Sequence, residues 1–154
     1  MEGSPEPAFE PLRKAVQKGR LLGLALCLAW PLFLMVLLGA GAVRAGTLQP
    51  VGPLRTLAFA FTGLSLLSAA LATWRTNRVM KGFSALDRAD QARVAFRESV
   101  LYAALFELSC LYGLVYWMLV GRNAFQHVLL FMALTPVMFL LFVPRYDHWR
   151  EAAE

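Results

Sequence analysis

The segment LYAALFELSCLYGLVYWMLVG, residues 101–121, is apolar enough to cross a bilayer, yet it carries a carboxylic acid, Glu107, near its middle. Roughly 20 mostly apolar residues traverse the hydrocarbon core, and this run meets that test once Ser99 and Val100 are added. Three more runs meet it: 21–43 and 56–74, which carry no charge, and 123–143, which holds His127 near its start. The four runs predict an all-α integral membrane protein, a four-helix bundle made of two antiparallel transmembrane hairpins. Short links on one side pair helix one with helix two and helix three with helix four.

The totals agree with this reading. The chain has 154 residues, 58% of them hydrophobic and 16% charged, with a mean hydropathy of +0.55. A soluble domain of this size needs more polar surface. The formal charge of +5 invites a nucleic-acid reading. The basic residues instead sit in short clusters beside apolar runs, which is how membrane orientation is encoded, and no nucleic-acid-binding signature is present. The first run has a basic flank, but it is too long for the apolar stretch of a signal peptide, roughly 7–15 residues. It reads as a retained helix.

Orientation follows from the Lys and Arg count. Twelve lie before the first run, in the loop 75–98 and after the fourth run; three, Arg44, Arg55 and Arg122, lie on the other side. Both termini are therefore expected in the cytoplasm, and a bacterial inner membrane is the expected location. Residues 1–12 read as a flexible polar segment, 13–150 as one transmembrane domain and 151–154 as a tail. Within the loop, Asp87 followed by Asp90 has the spacing of an N-cap and an acid at N3. Nothing after Arg88 breaks a helix before Gly113, so the third helix is expected to start in the cytoplasm and run on into the membrane.

Helix two carries small residues at Ala58, Thr62, Ser65, Ala69 and Ala72, spaced to share one face. Such a seam lets transmembrane backbones approach closely, and it marks an interface within the chain or with another. Pro31 and Pro136 predict kinks, with Thr135 placed to re-satisfy freed backbone. Trp74, Trp117 and Trp149, with Tyr116 and Tyr146, lie near run ends and read as interfacial anchors. Cys27 and Cys110 sit inside apolar runs and read as small packing residues.

Glu107 lies about 12 Å along its run at 1.5 Å per residue, within a turn of the midplane of a core roughly 30 Å thick. Burying a lone carboxylate there costs a few kcal/mol, so the acid is expected to be protonated at neutral pH. No Lys or Arg lies at its depth. Ser65, Ser68 and Thr135 are the candidate hydrogen-bond partners. A membrane acid of this kind either binds a proton or ion, or fixes helix pairing through a neutral hydrogen bond.

Residues 106–120, FELSCLYGLVYWMLV, add a resemblance. A glutamate followed by an aliphatic residue, Tyr, Gly, Leu and Val resembles the acid-bearing helix of rotary ATPase proteolipid (c-type) subunits, and about residues 58–120 follow that family's order of elements. The resemblance implies proton binding at Glu107. The family's glycine-rich helix is replaced here by the Ala/Ser/Thr seam, and a further hairpin is present.

No hydrolase constellation, phosphate-cradling loop or metal-ligand spacing is found, so neither enzyme activity nor a cofactor or metal is expected. The expected role is a small non-enzymatic accessory, assembly or interaction subunit packing through helix two. The alternative is a proteolipid-like or channel-forming oligomer that binds a proton or ion at Glu107. Its expected partners are the lipid bilayer and either further copies of itself or other membrane proteins.

Overall fold

Pro11 enters the first turn of α1, where its missing N–H costs nothing, and the helix runs from Glu10 to Gly39. Pro53 opens α2, Pro53–Met80, after Gly52 turns the chain with φ +55°. The Asp87 side chain accepts from the Asp90 N–H at 2.7 Å and caps α3, Arg88–Val120, as the Asp87–Asp90 spacing predicts. A 3₁₀ turn, Gly121–Ala124, leads into α4, Phe125–Phe142, and α5, Tyr146–Ala153, closes the chain. The structure, a computed structural model, describes residues 9–154. Most of the segment expected to be flexible, residues 1–8, lies outside them. The remainder of it, from Glu10, is already helix.

The described residues are all-helical. Three helical stretches are long and apolar enough to cross a membrane: α1, α2, and Arg88–Ala153. The last is divided by the 3₁₀ turn into α3 and α4, and by a short break into α4 and α5. Their outward faces carry Leu21, Leu32, Phe33, Val36, Phe59, Leu66 and Leu141 exposed. An apolar surface this extensive is normal against lipid and abnormal against water.

α3 is the central element, packed against α1, α2 and α4, whereas α1 and α2 scarcely touch. The expected packing of helix one on helix two is corrected here. The reason is a seam in α1: Leu12, Val16, Gly19, Gly23, Cys27, Pro31, Leu34 and Leu38 are buried at spacings of three or four, mostly four. Its smallest positions fit α3. A Cβ on Gly19 would lie 3.0 Å from Ser99 Cβ, and one on Gly23 would lie 3.4 Å from Ala103 Cβ and collide with the Phe139 ring. Without a hydrophobic drive between helices in lipid, close backbone approach selects the partner. The two contacts share one offset along the chain, so α1 and α3 run parallel.

Each end has its own closure. Beyond α1, Gly46 N–H donates to the Trp117 carbonyl at 3.0 Å and Leu48 N–H to the Leu119 carbonyl at 3.3 Å. The Leu119 carbonyl is among the acceptors that a helix end leaves open, whereas the Trp117 carbonyl takes Gly46 as a second donor beside the Gly121 N–H. A Cβ on Gly46 would run into the Leu119 backbone, which cannot swing away. Gly46→Ala is therefore expected to cost about 1–3 kcal/mol, the usual range for overpacking. Gly63→Ala, with open space around it in mid-helix, should be neutral or stabilising by up to about 1 kcal/mol. Thermal unfolding in detergent measures both, and equal midpoints for the two variants would refute the docking role of Gly46.

At the other end, Phe9, Leu12 and Val16 of the α1 start meet Phe83, Ala95 of α3, and Trp149 and Ala153 of α5 in a separate apolar core. Gln91 Nε2 donates to the Phe83 carbonyl at 3.1 Å and holds the α2–α3 loop over it. The expected anchor role of Trp149 is thereby corrected: its indole is fully buried, with its ring centroid 4.9 Å from that of Phe83. Tyr116 and Trp117 are also buried, in a core to which all four long helices and the 3₁₀ turn contribute. Of the three tryptophans read as anchors, Trp74 alone is exposed, with Arg78 over its ring.

Candidate functional site

Glu107 lies on α3, and the α1–α3 register brings it level with Cys27, within electrostatic reach of both Cys27 and Cys110. Both carboxyl oxygens are shielded from the surface and have no hydrogen-bond partner. The hydroxyls proposed as partners are engaged elsewhere. Ser65 donates to the Phe61 carbonyl at 3.0 Å and Ser68 to the Leu64 carbonyl at 3.1 Å, each one turn back on α2. Thr135 crosses from α4 to the Phe106 carbonyl at 3.3 Å. Serine and threonine in a helix reach the i−4 carbonyl without leaving their own backbone, and in α2 that local bond wins. The Cys27 thiol likewise points to a backbone acceptor, the Ala103 carbonyl at 3.9 Å.

The seam of α2 is used inside the chain. Ala58, Ser65, Ala69 and Ala72 are buried and Thr62 is half-buried. Ala58 joins the core below the 3₁₀ turn, and Ala69 and Ala72 join the core built around Cys27, Tyr102 and Phe106. The stacked Phe61 and Tyr112 rings, 5.0 Å apart, continue the α2–α3 contact. What α2 leaves outward is its opposite face, with Phe59, Leu66, Leu67, Leu71 and Trp74 exposed.

A second polar group, which the sequence reading passes over, sits where α2 and α3 meet near the loop. Arg75 Nε donates to Glu98 Oε2 at 2.7 Å and Nη2 to Oε1 at 2.9 Å, a two-pronged pair. Arg97 stands 3.5 Å from the same carboxyl. One turn further along α3, Tyr102 Oη accepts from Thr76 at 2.9 Å. The Glu98 side chain is 0% exposed and that of Arg75 44%. Burial pushes the Glu98 carboxyl up, but the hydrogen bonds and charge of Arg75 outweigh it and hold the group below its ordinary value. The same bonds and charge hold Arg75 above its own.

The signal for this pair was present in the chain. Arg75 follows the second apolar run directly and Glu98 precedes the third directly. Antiparallel packing of those runs puts the two charges at one level. Counting Arg75 only as an orientation charge hides it.

The chemistry open to this arrangement is narrow. The enclosed acid at Glu107 can hold a proton, and the Arg75–Glu98 pair fixes the α2–α3 register. Among the described residues no three His, Cys, Asp or Glu side chains gather as a metal site. Comparison of the chain with protein-family models, curated proteins and solved structures finds no match.

Proposed function

We propose that the protein is a non-enzymatic, multi-pass membrane protein that acts as an accessory, assembly or interaction subunit. In this reading four spans form two antiparallel hairpins, α1 with α2 and α3 with α4, in a bacterial inner membrane with both termini in the cytoplasm. The hairpins are joined by direction and connection, with α3 between α1 and α2. The bias of Lys and Arg toward one side supports the orientation. Helix two meets its partner, a second copy or another membrane protein, through the outward face that carries Phe59, Leu66 and Leu67.

The observation that carries this reading is the enclosure of Glu107. An acid that exchanges ions along a lipid-facing or subunit-facing path must open to that path, and both oxygens here are covered by their own chain. A second reading, proton or ion uptake at Glu107 in a proteolipid-like oligomer, draws on the same group's lack of a partner: an unpaired acid is free to take up a proton.

A hydrophobic carbodiimide, which modifies protonated carboxyls reached from lipid, separates the two. In intact membranes, from acid to alkaline pH and with Glu107→Gln as control, no modification of Glu107 is expected. Modification that fades as pH rises would overturn the accessory reading in favour of the second. Glu107→Leu adds an energetic test. Removing a buried polar group without a partner is expected to stabilise the fold by about 1–3 kcal/mol, visible as a raised unfolding midpoint. A lowered midpoint would mean that the acid has a partner, supplied from outside the chain.

A further inference from the structure

Between the first turns of α2 and α4 lies a cavity of about 550 Å³, with Tyr116 of α3 on its wall. Arg55 and Phe59 line it from α2, and His127 and Leu130 from α4. Arg55 and His127 are exposed, whereas Tyr116 is only 1% exposed and Thr62, further along α2, is half-buried. The Tyr116 and His127 ring centroids stand 5.9 Å apart, and the Arg55 guanidinium lies 5.9 Å from the centre of the Phe59 ring. Among the described residues, the side chains of Arg55, Tyr116 and His127 make no hydrogen bond or salt bridge. The Thr62 hydroxyl is already spent on the Ala58 carbonyl at 2.9 Å.

The cavity carries a positive charge that its own walls do not balance. No Asp or Glu occurs between residues 11 and 86 or between 108 and 146, so the segments that line it, 50–62 and 116–130, contain none. Both helices begin here without a side-chain cap or an acid in the first turn. A helix start favours anions and disfavours cations, yet the third residue of α2 is Arg55. An anion at the mouth of the cavity relieves that opposition. The donors present set its charge: one guanidinium fork, with an imidazole N–H and a phenol O–H beside it. One permanent cation matches a monoanion, and a carboxylate takes the fork through both oxygens. Stacking on Phe59 leaves the guanidinium edge free for that pairing.

Below the mouth the walls turn apolar. From Arg55 to Thr62 the α2 wall is about 10 Å long at 1.5 Å per residue. A bilayer phospholipid fills about 15 Å, half the hydrocarbon core, so this wall suits a shorter, single chain. The volume falls within the range of small-molecule sites, roughly 300–1,000 Å³. We propose that the cavity binds a medium-chain carboxylic acid, its carboxylate held by Arg55, His127 and Tyr116 and its chain lying between Phe59 and Leu130. The site goes beyond the accessory role and holds for either orientation of the chain.

The test uses decanoic acid with a diazirine in its chain, crosslinked by light to the full chain in phosphatidylcholine nanodiscs and mapped by mass spectrometry. Labelling is expected on α2 between Arg55 and Thr62 and on α4 near Leu130. Excess decanoate should remove it, whereas decanol, which has the same chain without the charge, should not. Arg55→Gln should reduce labelling about tenfold, as for the loss of a hydrogen bond to a charged group. Arg122→Gln removes a charge at the same end that does not line the cavity, and labelling should stay within about twofold of the wild type. Labelling spread along the outward faces of the helices, or equal competition by decanol, would overturn the proposal, and neither arm needs a variant. So would labelling unchanged in Arg55→Gln. If phosphatidylglycerol added to the nanodisc displaces the probe as well as decanoate does, the site takes a bilayer headgroup and the assignment to a free acid falls.

Discussion

Arg75→Ala is expected to destabilise the protein by about 2–3 kcal/mol and to reverse the way its stability responds to acid. Removing one side of a buried ion pair costs about 3–5 kcal/mol, because the other charge stays buried alone. The lower figure applies here because Arg75 is itself 44% exposed, so water screens part of the interaction, and because Arg97 stands 3.5 Å from the carboxyl and takes over some of the pairing. In the wild-type protein the Glu98 carboxyl sits below its ordinary value of 4.5. The unfolded chain therefore takes up a proton more readily than the folded one. The contribution of the pair is fully present above about pH 4.5 and is lost as pH falls through the lowered value. Without Arg75, burial dominates and the folded state becomes the better proton acceptor. Mild acidification should then stabilise the variant while leaving the wild type unchanged. Thermal unfolding in detergent, measured over a pH series, reads both slopes. Parallel slopes in the two proteins would show that Glu98 is not governed by Arg75. Replacing both residues with methionine should recover most of the loss, since a buried pair and a well-packed apolar substitute are often close in energy.

The parts of this fold that could be read from the chain are those encoded locally. The apolar runs stand out because each is long and continuous, and Asp87 with Asp90 announces the start of α3 because a cap and its bond lie three residues apart. What the chain does not announce is which helix lies beside which. Gly19, Gly23 and Cys27 select α3 over α2 through the space they leave, yet in sequence they are two glycines and a cysteine inside or beside an apolar run. Glu107 was legible as a candidate site, but its surroundings were not. Its depth follows from counting, whereas its enclosure depends on the α1–α3 register. The hydroxyls of Ser65, Ser68 and Thr135 were legible as polar groups near that depth, but their direction is set by carbonyls of the backbone. Arg75 and Glu98 come together across a separation of 23 residues. Their pairing is readable only once α2 and α3 are placed side by side.

The basal core shows the same limit and gives the second large effect. Phe9, Phe83 and Trp149 are scattered among polar segments at both ends of the chain and in the loop, outside any periodic apolar pattern, yet they are buried together with Leu12 at the start of the α1 seam. Trp149→Ala is expected to cost about 3–5 kcal/mol, the range for deleting a large aromatic from a packed core. Trp74→Ala should cost about 1 kcal/mol or less, since that ring is 60% exposed and holds only the Arg78 guanidinium over its face. The two tryptophans look alike in sequence, each beside an arginine, and the comparison isolates burial. The loss at Trp149 should also be local. α5 and the start of α1 lean on this indole, while the helices above it are held by cores built around Cys27 and Tyr102 and around Leu34 and Trp117. Limited proteolysis of Trp149→Ala should therefore open the α2–α3 loop near Phe83, whose ring loses its neighbour and whose carbonyl then keeps only the Gln91 amide and the Leu86 N–H as donors. The apolar helices should stay protected. A variant that resists cleavage at this loop and unfolds at the wild-type midpoint would show that the basal core is not a cooperative part of the fold. Cleavage there with the remainder intact would show that the two ends of the molecule are stabilised separately.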